Sequence, residues 1–141
     1  MKYLGIDYGA RNIGIAITDA AGSLAFPQAI IPNNEKALGY VTALMEKEQI
    51  EGVIMGSTRA DNGAANTITP DAERFADALG RDGMIPVEFA SESWSSYEAA
   101  RYAPGDVHDD SVAAAVILQR FIDMHADNTA VSFDDEDEEL E

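Results

Sequence analysis

The first twenty residues, MKYLGIDYGARNIGIAITDA, constrain the fold more than any other stretch of the chain. An apolar run reaches an acid, Asp7. A glycine turn follows through Tyr8-Gly9-Ala10-Arg11-Asn12, and a second apolar run leads to Thr18 and Asp19. The pattern predicts two short strands, 2–8 and 12–18, whose tight connection holds Asp7 at a fixed place beside the hinge. A carboxylate in mid-strand is costly to bury unless it is paired or binds a cation. Asp7 is therefore a candidate metal ligand, and the chain a candidate metal-dependent enzyme.

The rest of the sequence supplies the partners for that hairpin. Residues 23–31 (SLAFPQAII) read as a third strand, and Pro27 points to an edge position or a bulge. Leu38, Val41, Leu44 and Met45 recur at helical spacing within 35–49. Residues 52–56 (GVIMG) have the continuous apolar character of a central buried strand. After the polar loop 57–68, Thr69 and Pro70 suit an N-cap and first helical position, with the helix running to about Leu79 and ending near Gly80. Residues 85–90 form a fifth strand, and 96–102 a short helix stopped by Pro104-Gly105. A strongly amphipathic helix over 110–125 carries Val112, Ala115, Val116, Leu118, Gln119 and Ile122. The order β-β-β-α-β-α-β-α-α implies an α/β protein with a mixed five-stranded sheet and helices on both faces, the layout of a ribonuclease-H-like (RNase H-like) fold.

At 141 residues the chain is one domain, read as 1–126, followed by an acidic tail, 127–141, that the composition predicts to be disordered. Seven acids and no base lie in 134–141, which leaves about −10 of the formal −17 charge on the body. Nucleic-acid binders normally carry a basic patch, and nine Lys and Arg spread thinly do not make one. With no cysteine, disulfides and thiolate metal sites are excluded. No signal peptide and no membrane-length apolar run is visible, so a cytoplasmic protein is expected.

Three acids are placed for chemistry: Asp7 in the first strand, Glu92 just after the fifth, and Asp110 at the start of the last helix. With the first strand central, all three can converge, and three carboxylates in one pocket suit one or two Mg²⁺ or Mn²⁺ ions. Such ions activate a water and stabilise the leaving oxygen of a phosphodiester. Each acid also has a plainer reading. Asp7 can pair with Arg11 or accept backbone N–H bonds, Glu92 can be a solvated loop residue, and Asp109 and Asp110 suit a helix N-terminus. Trp94 reads as a packing residue, and His108 as an exposed one beside the acids.

Leu4-Gly5-Ile6-Asp7-Tyr8-Gly9, Arg11, Ile13-Gly14-Ile15-Ala16 and Asp19 together resemble the opening motif of the YqgF family of Holliday-junction-resolvase-like proteins, described as pre-16S rRNA nucleases. Val53-Ile54-Met55-Gly56, with Gly63 in the next loop, resembles that family's central strand and substrate loop. Asp110-Ser111-Val112-Ala113-Ala114 with Ile117-Leu118-Gln119 resembles its C-terminal helix motif. The likeness spans about residues 2–123. It implies an RNase H-like nuclease that uses Mg²⁺ or Mn²⁺ to cleave structured nucleic acid, RNA before DNA, with 5′-end processing of pre-16S rRNA ahead of four-way-junction cleavage. It implies Asp7, Glu92 and Asp110 as catalytic carboxylates and metal ligands. Arg11, Gly9, Gly56 and Gly63 become substrate-binding positions. The expected state is a monomer or weak homodimer. Two departures stand out: Ser91 and Ser93 flank Glu92 where the family has an acid and an arginine, and Gly56-Ser57-Thr58 lacks the family's proline. A hydroxyl does not replace a bidentate guanidinium, so a non-catalytic binding module that keeps the fold is the alternative. A sugar-kinase or actin-like ATPase reading of the D-x-G hairpin needs a second domain for which this chain has no room.

Overall fold

The computed structural model describes residues 1–58, 67–90 and 110–140, with side chains through residue 125. Five strands and three helices are described in chain order: β1 (Tyr3–Tyr8), β2 (Asn12–Thr18), β3 (Ala25–Pro32), α1 (Ala37–Lys47), β4 (Gly52–Gly56), α2 (Thr69–Gly83), β5 (Val87–Ala90) and α3 (Asp110–Leu140). The strands form one sheet in the order β3-β2-β1-β4-β5. β2 is antiparallel to both β1 and β3, whereas β4 is parallel to both β1 and β5. β1 is central, as the acid-bearing hairpin required. Pro27 lies on an edge strand beside a register shift opposite Ile15 and Ala16, so both readings of that proline hold.

Side-chain alternation divides the sheet into two unlike faces. Leu4, Ile6, Ile13, Ile15, Val53 and Met55 point to one side and form a core with Val41 and Met45 of α1 and Ala72, Ala76 and Leu79 of α2. The other side presents smaller residues. Gly5 pairs with Ala16, Asp7 with Gly14, and Gly5 with Ile54. Against that face lies α3, through Ala114, Ala115, Ile117, Leu118, Phe121 and Ile122. A Cβ at Gly5 would stand 2.9 Å from the Leu118 Cβ and 3.0 Å from the Ala114 carbonyl oxygen. The absence of side-chain bulk on β1 is what lets the helix approach the sheet. Val112 and Val116, which the periodicity placed on the buried stripe, are only partly buried beside β3.

The boundaries of α2 and the end of α3 differ from the sequence reading. Ile68, not Thr69, is the N-cap of α2, and the Thr69 hydroxyl instead accepts a 2.9 Å hydrogen bond from Thr58. That helix also continues through Gly80 to Gly83, where Met84 in the left-handed conformation ends it. One glycine costs only about 1 kcal/mol in a helix interior, and buried Ala76 and Leu79 hold the last turns on the core. The helix α3 runs past residue 125 to Leu140. No glycine or proline interrupts the stretch from Asp110 onward. The expected short helix at 96–102 lies outside the described residues.

Candidate active site

The hairpin β1–β2 builds one wall of the site. Asp7, half-buried, faces Gly14 across the antiparallel ladder. The turn between them is closed by the Gly9 N–H donating to the Asn12 carbonyl at 3.0 Å. The Asn33 side chain donates to the Gly9 carbonyl at 2.7 Å and braces the turn from the β3 end. Arg11 is exposed on this turn, and its carbonyl accepts the Asn33 N–H at 2.8 Å.

The second wall comes from far along the chain. Asp110 is the first residue of α3, and its backbone rests on Gly14. A Cβ on Gly14 would meet the Asp110 carbonyl oxygen at 2.0 Å and the Asp110 Cβ at 2.8 Å. The glycine opposite Asp7 is therefore the seat of the second acid. Gly14 belongs to the site in this sense, although sequence reasoning assigned it only to the motif. The signal that could have found it is its register, since hairpin pairing sets residue 14 opposite residue 7.

Burial first, and the Asp110 charge after it, push the Asp7 carboxyl up from 3.8 to about 6. Among the described residues, no basic side chain pairs with Asp7, so the plainer reading of an Asp7–Arg11 ion pair does not hold. Two neighbouring carboxylates form a hard-oxygen donor set that suits a divalent ion. Among the described residues no group of three acids or histidines is assembled. Glu92 and Gly63, and with them Trp94, His108 and Asp109, lie outside the described residues. Gly56 ends β4 and is buried; like Asp7 it lies two residues beyond the paired Gly5 and Ile54, and so shares their face. The Ser57 N–H donates to the Ala90 carbonyl at 2.6 Å, which sets the end of β5 level with the end of β4.

Two motif residues turn out to have structural duties. Asp19 lies at the other end of β2, where its carboxylate accepts the Ser23 N–H at 2.9 Å and the Leu24 N–H at 3.3 Å. These bonds, the Ser23 N–H first, hold its carboxyl below the usual range. Gln119 joins α3 to the same turn: its Oε1 accepts the Ala25 N–H at 2.8 Å and its Nε2 donates to the Ser23 carbonyl at 3.1 Å. Replacing Gln119 with Leu removes both bonds, and we expect a loss of about 1–3 kcal/mol in urea denaturation. A loss below about 0.3 kcal/mol would show that water replaces the amide at no cost.

Comparison with known proteins places these features in a wider set. Residues 1–124 match the model of the RuvX family, described as Holliday junction resolvase. A relative from Oleidesulfovibrio alaskensis, provisionally named pre-16S rRNA nuclease, is 33% identical over 137 residues, covering 90% of this chain and 95% of its own. One from Bordetella petrii, with the same provisional name, is 38% identical over 123 residues, covering 85% and 93%. Among solved structures, Thermus thermophilus RuvC in complex with a Holliday junction substrate superimposes with a TM-score of 0.58 at 14% identity, covering 89% of this chain and 96% of that one. The fowlpox virus Holliday junction resolvase gives 0.55 at 11% identity, covering 88% and 99%. At such identities the likeness is one of fold, and it is the RNase H-like fold.

Proposed function

The chain belongs to the RuvX family of Holliday junction resolvases, a family of nucleases, and from that premise we propose that it hydrolyses phosphodiester bonds of structured RNA at the Asp7–Asp110 pair with the aid of Mg²⁺ or Mn²⁺. The substrate we assign is the 5′ end of pre-16S rRNA, after the provisional names of relatives that align with most of this chain. The observation that carries the reading is the juxtaposition across Gly14 of two carboxylates, one of them raised by burial and by the charge of the other.

Asp7 and Asp110 would hold the cation, with Glu92, two positions past the end of β5, as the third ligand. When bound, the cation supplies the charge that activates a water and stabilises the leaving oxygen. The sheet fixes Asp7 in one place, so the donor set pays little reorganisation when substrate arrives. Arg11, exposed on the neighbouring turn, is available to a phosphate oxygen. The same reading makes the protein cytoplasmic and a monomer or weak homodimer. Among the described residues no helix is long and apolar enough to cross a membrane.

Labelled single-stranded RNA, structured RNA, duplex DNA and a four-way DNA junction, each incubated with Mg²⁺ or Mn²⁺, test the proposal. Cleavage of structured RNA in preference to the others supports it, and preferential cleavage of the junction reassigns the substrate. Glu92→Gln should lower the cleavage rate at least about tenfold. An unchanged rate removes Glu92 from the site. The net charge of −17 and the serines at 91 and 93 favour a second reading, a binding module that keeps the fold. Metal binding without cleavage of any substrate would establish that module.

A further inference from the structure

The geometry points to a second nucleic-acid contact: a shallow cavity at the β3–α1 junction that takes one unpaired base of the substrate, with Lys36 and Arg11 on the flanking phosphates. This inference rests on the nuclease reading and extends it. The cavity measures about 260 Å³ and is lined by Ile31, Pro32, Asn34, Lys36, Ala37 and Tyr40. It is smaller than the pockets that enclose drug-sized ligands, which run from about 300 Å³ upward, and its scale suits a single planar ring. Its walls are mostly apolar, and Tyr40 is 45% exposed, so a ring is available for stacking. The Asn34 Oδ1 accepts the Lys36 N–H at 2.9 Å, which leaves the amide Nδ2 as a donor toward a base edge.

Its location supports the assignment. β3 runs parallel to β1, so Pro32 ends at the same edge of the sheet as Asp7, two strands away, about 10 Å by ordinary strand spacing. Pro32 pairs with Asn12, next to Arg11, and the Arg11 carbonyl accepts the Asn33 N–H. The cavity opens on the α1 face of the sheet and Asp7 lies on the α3 face, so a strand reaching both passes over the end of the sheet at the β1–β2 turn, where Arg11 stands. The charges agree with this. Lys2 is paired with Glu48, Arg74 with Asp71 and Arg81 with Asp82. Among the described residues, no acid pairs with Arg11 or Lys36, and both stand at the catalytic edge of an otherwise acidic protein. Glu35, exposed in the same loop, opposes an anion and serves as an internal control.

Fluorescence anisotropy with a labelled single-stranded RNA, in Ca²⁺ and across a salt series, tests this. Tyr40→Ala should weaken binding at least about fivefold, and Tyr40→Phe should restore it. Lys36→Ala should weaken binding and lower the salt slope by about 0.7, the value for one phosphate on a single strand. Glu35→Gln should tighten binding at low salt. Lys47→Ala removes the same charge from the opposite end of α1 and should leave affinity and slope unchanged. If Lys36→Ala and Tyr40→Ala both bind as Lys47→Ala does, while wild-type protein still binds and cleaves RNA, the cavity assignment fails alone. If wild-type protein binds no RNA at any salt, the nuclease reading fails with it.

Discussion

Asp7→Asn is expected to abolish cleavage and, at neutral pH without divalent ions, to make the protein more stable. The loss follows from removing a charged ligand at nearly constant volume. A metal's contribution to transition-state stabilisation is several kcal/mol, and roughly 4 kcal/mol corresponds to about a thousandfold in rate. The gain follows from the raised carboxyl. Its folded value of about 6 lies above the ordinary 3.8, so the native state holds the proton more tightly than the unfolded chain does. The contribution of this group to stability is therefore most favourable below 3.8. It declines as pH rises between 3.8 and about 6, and the full penalty persists above that. Two units amount to roughly 3 kcal/mol at most. Denaturant titrations of wild type and Asp7→Asn across this window should diverge as pH rises, with the variant the more stable. Added Mg²⁺ should stabilise the wild type by ligand linkage and leave the variant unmoved. Parallel pH profiles for the two proteins would show that Asp7 is not under strain, and cleavage by the variant would place the chemistry elsewhere.

The second large effect is expected at a residue with no side chain. In Gly14→Ala the new methyl would lie 2.0 Å from the Asp110 carbonyl oxygen and 2.3 Å from its carbon, so backbone must move. Overpacking of this kind costs about 1–3 kcal/mol. Displacing a catalytic group by about 1 Å costs on the order of a hundredfold in rate. Gly5→Ala is the matched control, since its contacts with Leu118 and Ala114 are at 2.9–3.0 Å and lie further along α3. We expect similar destabilisation from both substitutions but a much larger rate loss from Gly14→Ala, measured on protein verified as folded. Equal rates in the two variants would mean that the N-terminus of α3 accommodates the methyl without moving Asp110.

These two residues show where sequence reasoning succeeds and where it stops. Asp7 was legible because hairpin periodicity and glycine punctuation are local signals, and all five strands emerged from the same signals. The edge position of β3 was legible from Pro27 alone. The pairing of Asp110 with Asp7 needs the register of β2 and the close approach of α3, neither of which is local. An acid at a helix start has an ordinary capping explanation, so Asp110 gains significance only from what its backbone rests upon. The ends of α2 were misplaced for a related reason, because the packing of Ala76 and Leu79 outweighs the glycine that would otherwise stop the helix. Asp19 and Gln119 carry the motif as visibly as Asp7 does, yet they secure the β2–β3 turn and not the site.

The seating of α3 on Gly14 also bears on the order in which the molecule comes into being. The three-stranded meander β1–β2–β3 is made of neighbours in sequence and can close early, whereas contacts distant in sequence wait on loop closure. Asp7 and Asp110 are separated by about a hundred residues, nearly the whole domain. A chain emerging from the ribosome thus completes its first strands long before it possesses both acids. On the proposed site, competence to cut nucleic acid therefore follows only once α3 has seated on the sheet.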